Sequence, residues 1–322
     1  MDNKISDNLK TRSIRYIFFM TLIFCLVSCV LTKKTNEKNY YLHFTPPNVI
    51  KIGDNLYIDQ TELSNLDWRE YMYWTENVYT LKSKEFAAIL PDTSVWNQYD
   101  SCLGTSLRNY LTQTEYEEYP VVGVSQKQAE LYSKWRTDRV FENILQNYGK
   151  IKFDYRQSSK THFTVEKYFE GKYQNTKPDT DFKYYPQYRI PTTNEYKMAL
   201  DYADSVEQAY LQKCNSPLCK QNKLIWPEMQ SDIIPCMSDT LFMIPTRKTH
   251  TGFVAEKRKP LYNLRGNVSE WTSDSGISIG GGWVHNKQRI MANDTFHAKT
   301  PNCWTGFRNV CEWKVYRNST SK

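Results

Sequence analysis

The sequence has few histidines and few glycines, and it has no apolar run long enough to cross a bilayer. None of its five histidines pairs with another at H-x-x-x-H spacing, which excludes a metal site built on two histidines one turn apart on a helix. The apolar run at 16–29 is shorter than the roughly 20 residues that a spanning helix needs. Only 12 of 322 residues are glycine, so the triplet at 280–282, in "ISIGGGWVHNKQRI", indicates a special backbone requirement.

The N-terminal residues have the layout of a secretory signal. Four basic side chains precede the apolar run: Lys4, Lys10, Arg12 and Arg15. The run ends in "LVSC", the pattern of a bacterial lipobox, in which a peptidase cuts before a cysteine that carries a diacylglyceryl group. An ordinary signal peptide with an incidental cysteine is the alternative. We expect a lipoprotein signal peptide at 1–28, lipidation of Cys29, and a polar tether at 29–45.

The charge balance argues against a nucleic-acid partner and leaves the membrane as the expected one. The net charge is +7, and removal of residues 1–28 takes away four basic and two acidic side chains, giving +7 − 4 + 2 = +5. Because acids and bases are interspersed over the rest of the chain, we expect a mixed, solvated surface. Acyl chains on Cys29 would hold such a domain on a bilayer. The expected location is the outer membrane, on its periplasmic or its outer face.

Six cysteines follow the lipobox: Cys102, Cys214, Cys219, Cys236, Cys303 and Cys311. An exported compartment permits disulfides, but the sequence does not choose between the many pairings of six thiols. Cys214 and Cys219 bracket the turn-forming "NSPL", so a small disulfide loop is one alternative. A zinc site would need a second pair at matching spacing or a nearby histidine. We therefore expect structural or free cysteines.

Three segments predict amphipathic helices with N-terminal caps. Ser64 or Asn65 caps the first, while Ser125 with Gln128 and Thr192 with Glu195 form capping boxes at the other two. Apolar side chains recur at helical spacing behind each cap, and we expect them in the core: Trp68, Tyr71, Met72; Ala129, Tyr132, Trp135; Tyr196, Ala199, Ala203.

The chain changes character between and after these helices. Residues 150–188 are polar, basic and rich in tyrosine, which predicts an insertion over the surface. Its segments "KYFEGKYQ" and "FKYYPQY" either supply contact residues for a partner or pack on their own domain. After Cys214, short apolar runs such as "LFMIPT" and "ISIGGGWV" alternate with turns, which indicates irregular β structure. The fold class is therefore α+β.

Six blocks of the sequence, taken in order, resemble the sulfatase-modifying-factor family, which includes the formylglycine-generating enzymes. The blocks are "TELSNLDWREYMYW", "YPVVGVSQKQAELYSKW", "YRIPTTNEYKMAL", "LYNLRGNVSEWT", "GGGW" and "TGFRNV". The resemblance spans about 52–313. It implies one compact α+β domain at 46–316, rich in irregular structure and distantly related to C-type lectin folds, followed by a tail at 317–322.

Within that family, "PDTSVW" and "VVGVSQKQAELYSKWRTDRV" look most like lipoproteins of Bacteroidetes-type bacteria. Some of those lipoproteins are associated with gliding motility and type IX secretion. The resemblance therefore implies a non-catalytic binding or assembly module of the cell envelope, with envelope proteins as its partners.

The residues that follow the glycine triplet differ from those of the oxidising enzymes. In those relatives, two cysteines after a "G-G-S-W" block bind copper and handle oxygen and the substrate thiol. The corresponding positions here hold His285 and Ile290. Neither side chain can replace a thiolate as nucleophile or soft-metal ligand, so we expect no catalytic residue. Trp283, His285 and Arg308 are expected to line a remnant of the pocket.

Neither the two thiols near the C-terminus nor a second, iron-dependent branch of the family changes this expectation. Cys303 and Cys311 flank "WTGFR" and are expected to be structural rather than displaced substitutes. A branch that uses non-haem iron carries an H-x-x-x-H signature, which this sequence lacks. The alternative function is an envelope metal-dependent oxidase, of the formylglycine-generating or non-haem iron type, that uses residues around His285, Arg289 and Arg308.

One metal site of the family matches this sequence at its four ligand positions. Family members wrap a structural calcium in an "N-x-x-G-N-x-W-E" turn, and "NLRGNVSE" keeps the pattern at those positions. The resemblance implies side-chain oxygens from Asn263 and Glu270 and main-chain oxygens from Gly266 and Val268. Calcium takes six to eight hard oxygen ligands, so water would complete the shell. A metal-free turn in which Glu270 caps backbone N–H groups is the alternative.

Overall fold

A computed structural model of the chain describes residues 45–99, 105–179, 182–213, 243–246, 261–291 and 293–317. The predicted signal peptide, Cys29 and nearly all of the predicted tether lie outside the described residues, as do Cys102, Cys214, Cys219 and Cys236. Among the described helices, none combines the length and the apolar character that a membrane span requires.

The described chain mixes helices with short strands. The α-helices are α1 Asn65–Tyr79, α2 Lys84–Ala87, α3 Gln126–Asn147, α4 Val165–Phe169, α5 Thr193–Lys213 and α6 Lys287–Met291. Three 3₁₀ helices cover Thr93–Tyr99, Thr105–Asn109 and Thr114–Tyr116. The strands are β1 Val49–Lys51, β2 Tyr57–Asp59, β3 Tyr184–Arg189, β4 Ser269–Trp271, β5 Ile277–Ile279, β6 Thr295–His297, β7 Thr305–Gly306 and β8 Val310–Val315. This composition, with much irregular chain between the elements, confirms the α+β prediction.

The strands form two small sheets. The first has the order β1-β2-β8-β3, and all of its pairs are antiparallel. The second has the order β6-β5-β4-β7, in which β4 and β7 run parallel. Strands β7 and β8 are separated by only three residues, Phe307 to Asn309, so this short connection ties one sheet to the other.

Local hydrogen bonds set the start of each long helix as predicted. The Ser125 hydroxyl accepts from the Gln128 N–H at 3.2 Å, and the Ser125 N–H donates to the Gln128 side chain at 2.8 Å. Thr192 and Glu195 make the same reciprocal pair at 3.1 and 2.8 Å. Ser64 is the cap of α1, and its capping box is completed by Asp67, which the sequence analysis did not identify.

The predicted inner faces of the helices do lie in the core. Trp68 is fully buried, stacks on Tyr132 with ring centroids 5.7 Å apart, and meets the edge of Phe307 at 6.0 Å. Its indole N–H donates to the Ile89 carbonyl at 3.2 Å, so the polar atom of this buried ring is satisfied. Tyr196 and the rest of the α5 stripe belong to a separate cluster against β2 and β5.

The insertion is more closely integrated with the domain than its composition suggests. Its last residues form β3, which pairs with β8 along six residues. Tyr168, Tyr173 and Phe182 are at most 1% exposed. These rings therefore pack on their own domain, the second of the two alternatives, and they are not available as contact residues. Phe153 and Tyr155, by contrast, are 69% and 74% exposed.

The glycine triplet is required by close packing on all sides. Gly280 has φ +89°, and a Cβ there would lie 2.6 Å from the Tyr196 hydroxyl oxygen. Gly281 has φ +70°, and its Cβ would overlap the side chain of Ile290. A Cβ on Gly282 would lie 2.6 Å from the Trp304 carbonyl oxygen. The triplet thus lets α6 and the loop before β7 approach the end of β5.

Substitution of Gly281 tests this packing against a matched glycine. Gly281→Ala should lower the free energy of unfolding by about 2–5 kcal/mol, through the left-handed φ and the overlap with Ile290. Gly149 also has a positive φ, +65°, but a Cβ there meets nothing within 4 Å. Gly149→Ala should therefore cost only about 1–2 kcal/mol. Urea denaturation measures both, and equal losses would contradict the packing argument.

Candidate functional site

His285, predicted to stand at the first of the two family cysteine positions, is a half-buried imidazole. Its Nδ1 accepts a hydrogen bond from the Gly282 N–H at 2.7 Å, and its ring lies 3.9 Å from that of Phe296. Burial, helped by the charge of Arg289, lowers the pKa of His285 to about 4. At neutral pH the ring therefore carries no charge, and one nitrogen is already used to fix the glycine turn.

Ile290, at the second position, is part of the hydrophobic packing. Its side chain is 3% exposed and contacts the backbone of Gly281 directly. The two positions therefore hold an imidazole engaged by the backbone and a buried alkyl group. Neither provides the sulfur that copper and thiol chemistry would use.

Cys303 and Cys311 are both free and buried, and they lie in different parts of the core. Cys303 packs in the cluster of Trp96 and Trp283, and its carbonyl accepts from the Trp283 indole at 2.9 Å. Cys311 lies in β8 opposite Tyr57 and Tyr188. Burial raises the pKa of the Cys303 thiol to about 12 and raises that of Cys311 as well. Neither thiol ionises at neutral pH, so neither acts as a nucleophile.

A surface cleft lies beside the Cys303 loop. Its lining includes Gln98, His297, Lys299, Asn302 and Trp304. The Gln98 amide is 3.8 Å from the Cys303 sulfur, but the thiol itself is fully buried. The cleft therefore presents polar side chains and an indole to solvent, without access to the thiol below it.

Arg308, one of the three residues predicted to line a remnant pocket, belongs to a buried ion pair. Its guanidinium is fully buried and pairs with the Glu270 carboxylate through two hydrogen bonds of 2.6 Å. It also donates to the carbonyls of Asp59 at 3.2 Å and Tyr262 at 2.8 Å. The backbone N–H of Trp283 donates to the Asn267 carbonyl at 2.9 Å, in the turn before β4, and the shared pocket stays a prediction.

A second buried carboxyl group, that of Glu62, lies near this ion pair and was not predicted from the sequence. Glu62 is 1% exposed and accepts hydrogen bonds from the side-chain amides of Asn267 at 2.9 Å and Asn263 at 3.1 Å. Burial and the nearby charge of Glu270 raise the pKa of Glu62 to about 8, against the opposing effect of Arg308. Burial raises the pKa of Glu270 as well, and the contact of both its oxygens with the Arg308 guanidinium opposes that rise. The only sequence signal for Glu62 is its place in the "TELSN" block.

The predicted calcium turn adjoins this charge cluster. Asn263, Gly266 and Asn267 have φ values of 50°, 83° and 59°, so the turn has a left-handed backbone. Glu62, Glu270 and Arg308 sum to a formal charge of −1 when all are ionised. A divalent cation held by hard oxygens would offset that excess, so the donor set of Asn263, Glu270 and the two carbonyls fits calcium chemically.

Two features of the described chain limit that fit. Glu270 already binds Arg308 with both oxygens, and Asn263 already donates to Glu62, so a metal would share these groups. Within the described residues, no group of three or more His, Cys, Asp or Glu is placed to hold a metal. The calcium site would rest on one carboxylate, and it stays a prediction.

Chelation at two pH values tests the calcium prediction. Without a cation, the raised pKa of Glu62 means that stability is full at low pH and is lost as pH rises from 4.5 towards 8. If calcium offsets this charge, EDTA should lower the melting temperature, and the decrease should be larger at pH 8.5 than at pH 6. Added calcium should restore the melt. An unchanged melt with EDTA at both pH values would rule out the site.

Comparisons with known proteins identify the family of this chain. The model of the Sulfatase-modifying factor enzyme 1-like domain matches residues 28–313. Its match starts upstream of the predicted domain start at residue 46. A crystal structure of CarF is similar at 13% sequence identity over 80% of this chain and 86% of that chain, with a TM-score of 0.32. The comparison with curated proteins gave no significant match. Because the family model covers most of the chain, this protein belongs to the sulfatase-modifying factor enzyme 1-like family.

Proposed function

We propose that this chain is a lipid-anchored, non-catalytic member of its family that serves as a binding or assembly module of the cell envelope. The observation that carries the proposal is the packing at His285 and Ile290. An imidazole engaged by Gly282 and a buried alkyl chain stand where the oxidising relatives place two thiolates. The remaining thiols of the described chain, Cys303 and Cys311, are buried and protonated.

The membrane anchor is proposed from the lipobox. Cys29 follows "LVS" at the end of a short apolar run, and the chain after it begins "VLTKKTNEKN", a polar tether. Two or three acyl chains on this cysteine would hold the domain on the outer membrane, because each buried methylene adds about 0.8 kcal/mol.

The proposed setting is an envelope assembly of the gliding-motility or type IX secretion kind. Support comes from the two segments that resemble lipoproteins of those systems, because they touch one another. The Asp92 N–H, in "PDTSVW", donates to the Gly123 carbonyl, in "VVGVSQ", at 2.8 Å. Gly123 has φ +74°, and a Cβ there would lie 2.5 Å from the Asp92 carbonyl oxygen. The two segments thus form one local unit of the domain.

The alternative, a metal-dependent oxidase, receives less support from the residues assigned to it. Arg308 is committed to Glu270, and Arg289 pairs with Asp294 at 3.0 Å while it lies over the Phe296 ring. His285 is the one potential metal ligand among these three residues, through its Nε2, because its Nδ1 already accepts from the Gly282 N–H. One neutral imidazole does not make a metal site.

Anchorage and catalysis are tested on the same full-length protein. Cys29→Ser should move the protein out of the membrane fraction and remove the acyl mass, whereas Cys25→Ser, in the same apolar run, should change neither. Purified wild-type protein should show no oxygen consumption with thiol peptides, with or without added copper or iron. Turnover with either metal would establish the oxidase instead, and membrane retention of Cys29→Ser would remove the anchor from the proposal.

A further inference from the structure

Two of the three most exposed aromatic side chains of the described chain lie in one segment, which we call the 152–160 turn; the third, Tyr73, is 68% exposed on α1. Phe153 is 69% exposed and Tyr155 is 74% exposed. The other rings of the same insertion, such as Tyr168 and Tyr173, are buried. Scattered exposed apolar side chains are normal on a surface, but two exposed rings in one short turn indicate a contact.

Hydrogen bonds hold this turn at both ends, so the rings are presented by a fixed backbone. On one side, the Lys152 N–H donates to the Gln174 side chain at 3.2 Å, and the Gln174 amide donates to the Lys152 carbonyl at 3.0 Å. On the other side, the Gln157 amide donates to the buried Glu142 at 2.5 Å, and Arg139 donates to Gln157 at 3.2 Å. These hydrogen bonds fix the backbone of the turn, so its position does not depend on packing of the Phe153 and Tyr155 rings.

The charge of the turn is positive. Residues 152–160 contain Lys152, Arg156 and Lys160 against Asp154, which gives 3 − 1 = +2. The Arg156 guanidinium lies 5.0 Å from the centre of the Tyr155 ring and donates to its hydroxyl at 2.8 Å. The Tyr155 ring thus has a cationic side chain beside it, and Phe153 follows Lys152 in the chain.

We propose that the 152–160 turn binds the surface of a phospholipid bilayer that carries anionic headgroups. Aromatic rings with a polar edge prefer the headgroup region, and lysine and arginine beside them bind anionic lipid while their stems cover apolar surface. The contact goes beyond the lipid anchor proposed above and rests on it only for bringing the domain close to the membrane.

A bilayer fits this turn better than a protein partner does. A stable protein interface buries roughly 800 Å² on each partner, which is far more than a nine-residue turn with two rings offers. A fluid interface needs no complementary shape, so a short basic and aromatic turn is sufficient.

Photo-crosslinking from the turn tests the proposal in the full-length, anchored protein. A photoreactive p-benzoylphenylalanine replaces Phe153 in one variant and Tyr155 in a second. The matched control replaces Met198, which is 44% exposed on α5 beside Gly53. Illumination of the membrane fraction should give lipid adducts at positions 153 and 155 and few or none at 198. Thermal melts show that each variant is folded.

The charge of the turn supplies an independent arm. Lys152→Glu combined with Arg156→Glu should lower the yield of lipid adducts at position 153 roughly tenfold in vesicles that contain phosphatidylglycerol. In vesicles of phosphatidylcholine alone, the two proteins should give equal and low yields. Protein adducts without lipid adducts at 153 and 155, or equal lipid yields at 198, would overturn the contact. Fractionation of Cys29→Ser separately decides the anchor, so the two failures are distinguishable.

Discussion

The buried ion pair between Arg308 and Glu270 is the interaction on which the rest of the domain depends. It is fully buried, and its guanidinium also holds the carbonyls of Asp59 and Tyr262, so it joins both sheets and the turn before β4. Loss of either partner would leave an unpaired buried charge, which costs about 3–5 kcal/mol. The two partners come from the "LYNLRGNVSEWT" and "TGFRNV" blocks, so this ion pair gives both blocks a structural role.

The glycine triplet has a structural role in this protein. It lets Ile290 and the Trp304 carbonyl approach the end of β5. The His285 and Ile290 side chains that follow it contribute a hydrogen bond to the backbone and packing. Function belongs to sites rather than folds, so the shared scaffold implies no shared reaction. The 152–160 turn exposes two aromatic rings, and the cleft beside the Cys303 loop exposes polar side chains and an indole.

Features determined by neighbouring residues were predictable from the sequence, and those determined by distant residues were not. The caps at Ser125 and Thr192 depend on a residue three positions on, so the pattern alone identified them. Glu62 meets Asn263 and Asn267 only because β2 and the turn before β4 come together in the fold, and no spacing indicates this. The burial of Tyr168 and Tyr173 was left as one of two alternatives for the same reason, because a polar, tyrosine-rich composition does not show which rings face α3.

The proposed loss of thiol chemistry depends on the burial of the two thiols of the described chain, Cys303 and Cys311. Alkylation of the native full-length protein, read out cysteine by cysteine with mass spectrometry, measures their exposure. We expect Cys303 and Cys311 to be labelled only after denaturation, because both thiols are buried and protonated. Rapid labelling of both in the folded protein would contradict this expectation.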